Sequence, residues 1–234
     1  MSAGSVAAAR SKDHRAGGGA IPTPALHSLL VQPVPIVLTK QLLEREHYLH
    51  SFPGSTKLAF GVFWGARLLG ALTLGAGPAN VYSLVGGVTP DHCLTLSRLW
   101  LSDELPHNSE SRFIGIVTRA LKRNTSLRFL VSYADPAQGH LGTIYQATGW
   151  VYTGLSQATP LYDIGDGRHY HSRSLSHSFG SHGVAHFQSR GIEVNLVPQE
   201  AKHRYLYFLD PAWRARLRVP ALPYPKRKVL GEGN

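Results

Sequence analysis

The stretch LRFLVSYADPAQGHLGTIYQATGWVYTG, residues 127–154, decides the fold. Leu127 to Tyr133 is apolar and β-prone, which predicts a strand. Asp135-Pro136 signals a turn, because proline forces the residue before it out of the helical region. From Gly139 to Thr148, the residues Leu141, Ile144, Tyr145 and Thr148 recur three and four apart, which predicts a helix with one apolar face. Gly149 ends that helix by taking the left-handed conformation that other residues resist. Trp150 to Tyr152 restarts an extended run. The unit sets Asp135 at a strand end and Tyr145 on a helix facing it. Open α/β sheets bind ligands at such strand ends.

Upstream, Pro33 and Pro35 break Val31–Leu38 into an edge strand or extended lead-in. Thr39 is expected to cap a helix running from Lys40 to about Leu49. Leu58–Trp64 and Arg67–Leu74 form a hairpin around Gly65-Ala66. Leu94–Leu101 is the next strand. Asn108 is the expected cap of a helix from Ser109 to about Arg123, with Phe113, Ile116, Val117, Ala120 and Leu121 as its buried stripe. Downstream, His169–Gly191 reads as two short helices rich in His, Ser and Arg. Ile192–Val197 and Lys202–Leu209 read as strands. The segments divide into a tail over 1–24, a core over 25–160, a C-terminal extension packing on the core over 161–219, and a Pro-rich basic tail over 220–234.

The formal charge of +10, with 43% hydrophobic and 16% charged residues, describes a folded basic protein that favours polyanions, nucleic acid first. From residue 199 onward Lys202, Arg204, Arg214, Arg216, Arg218, Lys226, Arg227 and Lys228 face only Glu200, Asp210 and Glu232. No apolar run reaches the ~20 residues of a membrane helix, and the N-terminus has no signal-peptide pattern. The single cysteine, Cys93, excludes a disulfide framework and fits a reducing compartment. Gly17-Gly18-Gly19 follows no strand and precedes no Gly-Lys-Ser/Thr, so it is no phosphate loop. His182 and His186 lack a third partner for zinc.

Tyr145-x-x-x-Gly149-Trp150 resembles the closing box of the GNAT acyltransferase fold. The element order predicts the same α/β class: a mixed, mostly antiparallel, splayed sheet flanked by helices. The longer string from Ser132-Tyr133-Ala134-Asp135-Pro136 to Gly139-His140-Leu141-Gly142-Thr143-Ile144-Tyr145 resembles the Mom family of Mu-like phages. His47-Tyr48, Ser97-Arg98-Leu99, Asp103 to Arg112, and Lys202-His203-Arg204-Tyr205 extend that resemblance. It implies a transferase that adds a carbamoylmethyl (acetamido) group to adenine N6 in DNA, protecting it from restriction. N6 is stacked and paired in a duplex, so the partner is double-stranded DNA with a flipped adenine, or single-stranded DNA.

On that reading Asp135 accepts the N6 proton or holds the base edge. Tyr145 stands where GNAT enzymes place the acid for the leaving thiolate, and Arg98 clamps a phosphate or the donor's carboxamide. The resemblance implies iron, for which His47 and Tyr48 are the ligand candidates with Asp135 completing the set. Ser109, Ser111 and Arg112 occupy the position of the GNAT coenzyme A loop, but its glycines are missing and Glu110 would repel a pyrophosphate. Attack on a thioester carbonyl would also give an amide and not a CH2 on N6. Acetyl-CoA is therefore not supported as the simple donor, and the donor is left open. Lys202, Arg204, Trp213, Arg214 and Arg216 are the nucleic-acid candidates, Trp213 as a stacking surface. Two rival readings are an ordinary N-acetyltransferase acting on a small amine or protein, and a DNA-binding protein without catalysis. Oligomeric state is open, a homodimer included.

Overall fold

The computed structural model describes residues 25–226. The segment 1–24 and the cations Arg227 and Lys228 lie outside the described residues. The main sheet is built from β1 (Leu30–Pro33), β2 (Thr56–Trp64), β3 (Arg67–Gly75), β4 (Cys93–Leu101), β5 (Phe129–Ala134), β6 (Val151–Leu155) and β10 (His203–Phe208). Its seven strands run in the order β1-β2-β3-β4-β5-β10-β6. Neighbours are antiparallel except β4 and β5, which are parallel. The expected α/β, mostly antiparallel, splayed architecture is present. A second sheet joins β7 (Leu161–Asp163), β8 (His169–Tyr170) and β9 (Asn195–Val197) in the order β8-β7-β9. It carries α4 (Ser172–Phe179) and α5 (Val184–Gln188), whose Leu175 and Phe187 are fully buried.

Three helices flank the main sheet: α1 (Ile36–Glu46), α2 (Ser109–Asn124) and α3 (Thr143–Ala147). The main core joins Phe113, Ile114, Val117 and Leu121 of α2 to Leu72, Leu94, Leu96 and Leu130 of the strands, with Tyr145, Trp150 and Tyr205. Leu42 and Leu43 of α1 pack with Ala71 and Trp100. Burying such side chains contributes about 1.5–3 kcal/mol each.

Several boundaries differ from those expected. α1 starts at Ile36, directly after Pro35, so Thr39 is inside the helix; its hydroxyl donates to the Ile36 carbonyl at 2.8 Å and caps nothing. Asn108 does stand at the cap of α2, but in the left-handed conformation and without a side-chain bond. The helix read over 139–148 shortens to α3, because Asp135 first closes a 3-10 turn over Pro136–Gln138. Nor does the sheet end at residue 160: β10 returns from the C-terminal part and inserts between β5 and β6.

That insertion creates the feature on which the site depends. β4 and β5 pair only from Cys93–Leu96 to Phe129–Ser132. A bulge in β4 falls at Ser97, between the Leu96 and Arg98 pairings with β3. Beyond it β4 stays with β3 and β5 stays with β10, so the two parallel strands part. Bulges re-aim side chains and end pairing in this way.

Candidate active site at the parting of two parallel strands

Ser132 stands where the strands part. Its hydroxyl lies 2.7 Å from the Tyr145 hydroxyl and 3.1 Å from the Leu96 carbonyl, so it bridges α3 to β4. Tyr145 therefore ends at the floor of the gap. Its ring is held between Trp150 and Tyr205, with centroids 5.0 and 5.4 Å away. Burial pushes its phenol up to about 12, which keeps it protonated at neutral pH.

Asp135 lies at the rim, one residue past β5. One carboxylate oxygen accepts the Ala137 N–H at 3.0 Å and the other accepts Lys202 Nζ at 2.9 Å. The pair is half-sheltered, with side-chain exposures of 27% for Lys202 and 18% for Asp135. Lys202 directly precedes β10, so the inserted strand delivers it.

From the β4 side, Arg98 donates to the Ser97 carbonyl at 2.8 Å and to Ser51 Oγ at 3.2 Å, while its Nε is buried without a partner. The loop after α1 brings His47 and Tyr48. Their rings stack at 4.4 Å, and Tyr48 meets His140 edge-on at 5.7 Å. Tyr48 links the two halves, since it interacts electrostatically with Arg98, with Asp135 and with Tyr145. Burial raises its pKa, Arg98 opposes that, and Asp135 adds to it. His47 accepts the Leu49 N–H at 3.2 Å, and burial followed by Arg98 pushes its pKa down to about 4.

The structure thus gathers Arg98, Asp135, Tyr145, His47, Tyr48 and Lys202 around one gap. It does not bring the other candidates there. Ser109 and Ser111 donate their hydroxyls back to Pro106 and Asn108 carbonyls, at 2.6 and 2.9 Å, and Arg112 keeps its Nε buried and unpaired. Arg204 is engaged by β6, bonding Thr153 through Oγ1 at 2.9 Å and its carbonyl at 3.1 Å. Trp213 lies at the opposite end of β5, half-buried, with Arg216 4.5 Å and Arg128 5.7 Å from its ring and His92 stacked on it. Its ring is already covered, so it is not an open stacking platform. Arg214 and Arg216 are exposed there. His171, the residue before α4, is coupled electrostatically to Lys202 and Arg98.

Iron requires converging donors. Among the described residues no group of three or more His, Cys, Asp or Glu side chains is placed to hold a metal ion. Arg98 also lies beside His47 and Tyr48, where its charge opposes a dication. The set of His, Cys, Asp and Glu leaves out phenols: His47, Tyr48 and Asp135, the last two coupled electrostatically, are the side chains that would hold iron here. His182 bonds Ser176 and His186 bonds Arg190, apart from one another. Among the described residues no helix is long and apolar enough to cross a membrane.

Asp135, Tyr145, Arg98 and Lys202 thus meet where two parallel strands of a splayed α/β sheet part. Residues 28–226 match the Mom protein family, and the chain belongs to that family. It is 30% identical to the methylcarbamoylase Mom of Escherichia phage Mu, over 85% of this chain and 84% of that one. Similar solved structures include Arabidopsis thaliana NAA60 with acetyl-CoA, at 10% identity and TM-score 0.46, covering 77% of this chain and 98% of that one. An N-acetyltransferase of Staphylococcus aureus Mu50 aligns at 10% identity and TM-score 0.43, covering 77% and 97%.

Proposed function

We propose that the chain transfers a carbamoylmethyl group to the exocyclic N6 amine of adenine in DNA, in the cytoplasm of the phage's host. The observation that carries the reading is the 30% identity to the phage Mu methylcarbamoylase across most of both chains, joined to a gap that presents matched groups for amine chemistry. Adenine N6 is a weak nucleophile, because its lone pair is delocalised into the ring. It needs orientation and help with protons.

Asp135 holds the amine toward the donor through one N6 hydrogen and takes that proton as the N–C bond forms; a carboxylate oxygen bonded once still has a lone pair to offer. Lys202 holds that carboxylate in place from 2.9 Å. N6 then attacks the donor's CH2 carbon, the N–C bond forms, and the leaving group departs with the electrons of the broken bond. Tyr145 protonates it from the floor of the gap, and Arg98 stabilises the charge that develops. Tyr48 and His140 offer ring surfaces to the extruded base. The turned-back hydroxyls of Ser109 and Ser111 offer a pyrophosphate nothing, which favours a donor other than a simple acyl-coenzyme A.

Restriction digestion of plasmid DNA from expressing cells tests this reading. Endonucleases with adenine in their sites are expected to cut it poorly. The Asp135→Asn variant, folded and still binding DNA, is expected to leave plasmid fully cleavable. Full cleavage of DNA from wild-type cells contradicts the reading, and equal protection by the variant removes Asp135 from it.

A further inference from the structure

Among the described residues, Ser132 is the one side chain that hydrogen-bonds the Tyr145 hydroxyl, and it is itself only 1% exposed. The sheet fixes it from both sides. Ser132 pairs with Leu96 of β4 in the last step of the parallel ladder. On its other side it pairs with Tyr205 of β10, whose ring packs on the Tyr145 ring at 5.4 Å.

A serine hydroxyl carries one proton and donates it to one acceptor at a time. Two acceptors lie within reach, the Tyr145 oxygen at 2.7 Å and the Leu96 carbonyl at 3.1 Å. The carbonyl can only accept. When Ser132 donates to it, the Tyr145 O–H completes the 2.7 Å bond by donating to Ser132. The phenol proton then points at the serine and away from a leaving group. When Ser132 donates to Tyr145 instead, the phenol proton is free to enter the gap. The serine bond then falls on the oxygen that becomes negative. The two arrangements differ by a turn about one Cβ–Oγ bond, with no heavy atom displaced.

Only the second arrangement suits an acid. A hydrogen bond donated to the charged form of a group stabilises that form, and bonds to charged oxygens are the strong ones. Burial works the other way on Tyr145, and the Ser132 bond opposes it.

We propose that Ser132 positions the proton of Tyr145. It holds that proton while its own hydroxyl serves the Leu96 carbonyl, and frees it for the leaving group by turning that hydroxyl to the phenol oxygen. The proposal rests on the adenine-modification reading, with Tyr145 as its acid. The step balances: the N6–C bond forms as the carbon–leaving-group bond breaks, and the leaving group takes the electron pair and the Tyr145 proton. The phenolate keeps the Ser132 hydrogen bond, and Asp135 holds the N6 proton until water returns it to Tyr145. Ser132 gains and loses no proton. A carbamoylmethyl electrophile bearing a leaving group is the only co-reactant.

The test is a double-mutant cycle of Ser132→Ala and Tyr145→Phe. Each purified protein is checked for folding by thermal unfolding and then added to host-cell extract and plasmid. The initial rate at which modified deoxyadenosine appears is measured. Ser132→Cys is run beside Ser132→Ala, because it nearly keeps the volume and offers only a weak donor. Both serine variants are expected to lower the rate about 10- to 100-fold, the scale of one hydrogen bond to a charged group. In the Tyr145→Phe background the same changes are expected to alter the remaining rate by less than about twofold, since no phenol proton is left to position. A folded Ser132→Ala or Ser132→Cys within about threefold of wild type overturns the assignment. So does an equal fractional loss in both backgrounds, which is what a purely structural serine gives. No modified nucleoside with wild type overturns the adenine reading, and the assignment with it. Product from wild type that is undiminished in the serine variants overturns the assignment alone.

Discussion

At the scale of residues, Tyr145 is decided by its two surroundings. Its ring belongs to the core, beside Trp150 and Tyr205, and its hydroxyl belongs to the gap, 2.7 Å from Ser132. Tyr145→Phe keeps the ring and removes the proton. It is expected to cost about 1 kcal/mol of stability, the scale of one hydrogen bond, and to reduce DNA modification about 100-fold or more. Denaturant unfolding and nucleoside analysis of the same variant measure both. Full modification by a stable Tyr145→Phe protein would end the acid role. Asp135 and Tyr145 were both legible in the sequence, because a turn proline and a helical spacing place them. Lys202 as the partner of Asp135 was not legible: the pair is closed by β10 crossing the sheet, and nothing near residue 202 says where that strand inserts. Trp213 failed as a stacking surface for the same reason, since Arg128 and His92 reach it from distant segments.

At the scale of elements, α3 is short and is seated by its approach. Gly142 has φ 71°, and a Cβ there would lie 2.5 Å from the Tyr205 ring. Gly139 has φ 68° with nothing within 4 Å. Left-handed backbone costs a substituted residue about 1–2 kcal/mol at either position. Only Gly142→Ala adds a clash, with a ring whose hydroxyl is bonded to the Leu141 carbonyl. Gly142→Ala is therefore expected to lower Tm by about twice as much as Gly139→Ala, roughly 4–8 °C against 2–4 °C for a domain of this size. Calorimetry measures both; equal shifts would contradict the seating of α3 on Tyr205. The hairpin β2–β3 was readable, as were Phe113, Val117 and Leu121 on the buried face of α2; Ile116 and Ala120 of the expected stripe are only half-buried, and Ile114 and Thr118 are buried instead. The start of α1 was misread because Thr39 resembles a cap, whereas Pro35 sets the entry and Thr39 bonds back within the helix.

At the scale of the whole molecule, Arg214 and Arg216 and the chemistry lie at opposite ends of one strand. Seven residues of extended chain separate Arg128, beside Trp213, from Asp135, or about 23 Å at ~3.3 Å per residue. Exposed Arg214 and Arg216 are thus suited to phosphates several base pairs from the target, and not to the reacting base. On the proposed function, the gap between β4 and β5, with Arg98 and Tyr48 on one side and Asp135 and Lys202 on the other, is where the amine is modified. Mass spectrometry of nucleosides from plasmid DNA co-expressed with the chain tests this most directly. A carbamoylmethylated deoxyadenosine is expected with the wild-type protein and is expected to vanish with Arg98→Ala. Unmodified deoxyadenosine from wild-type cells, or undiminished product from Arg98→Ala, would contradict the account.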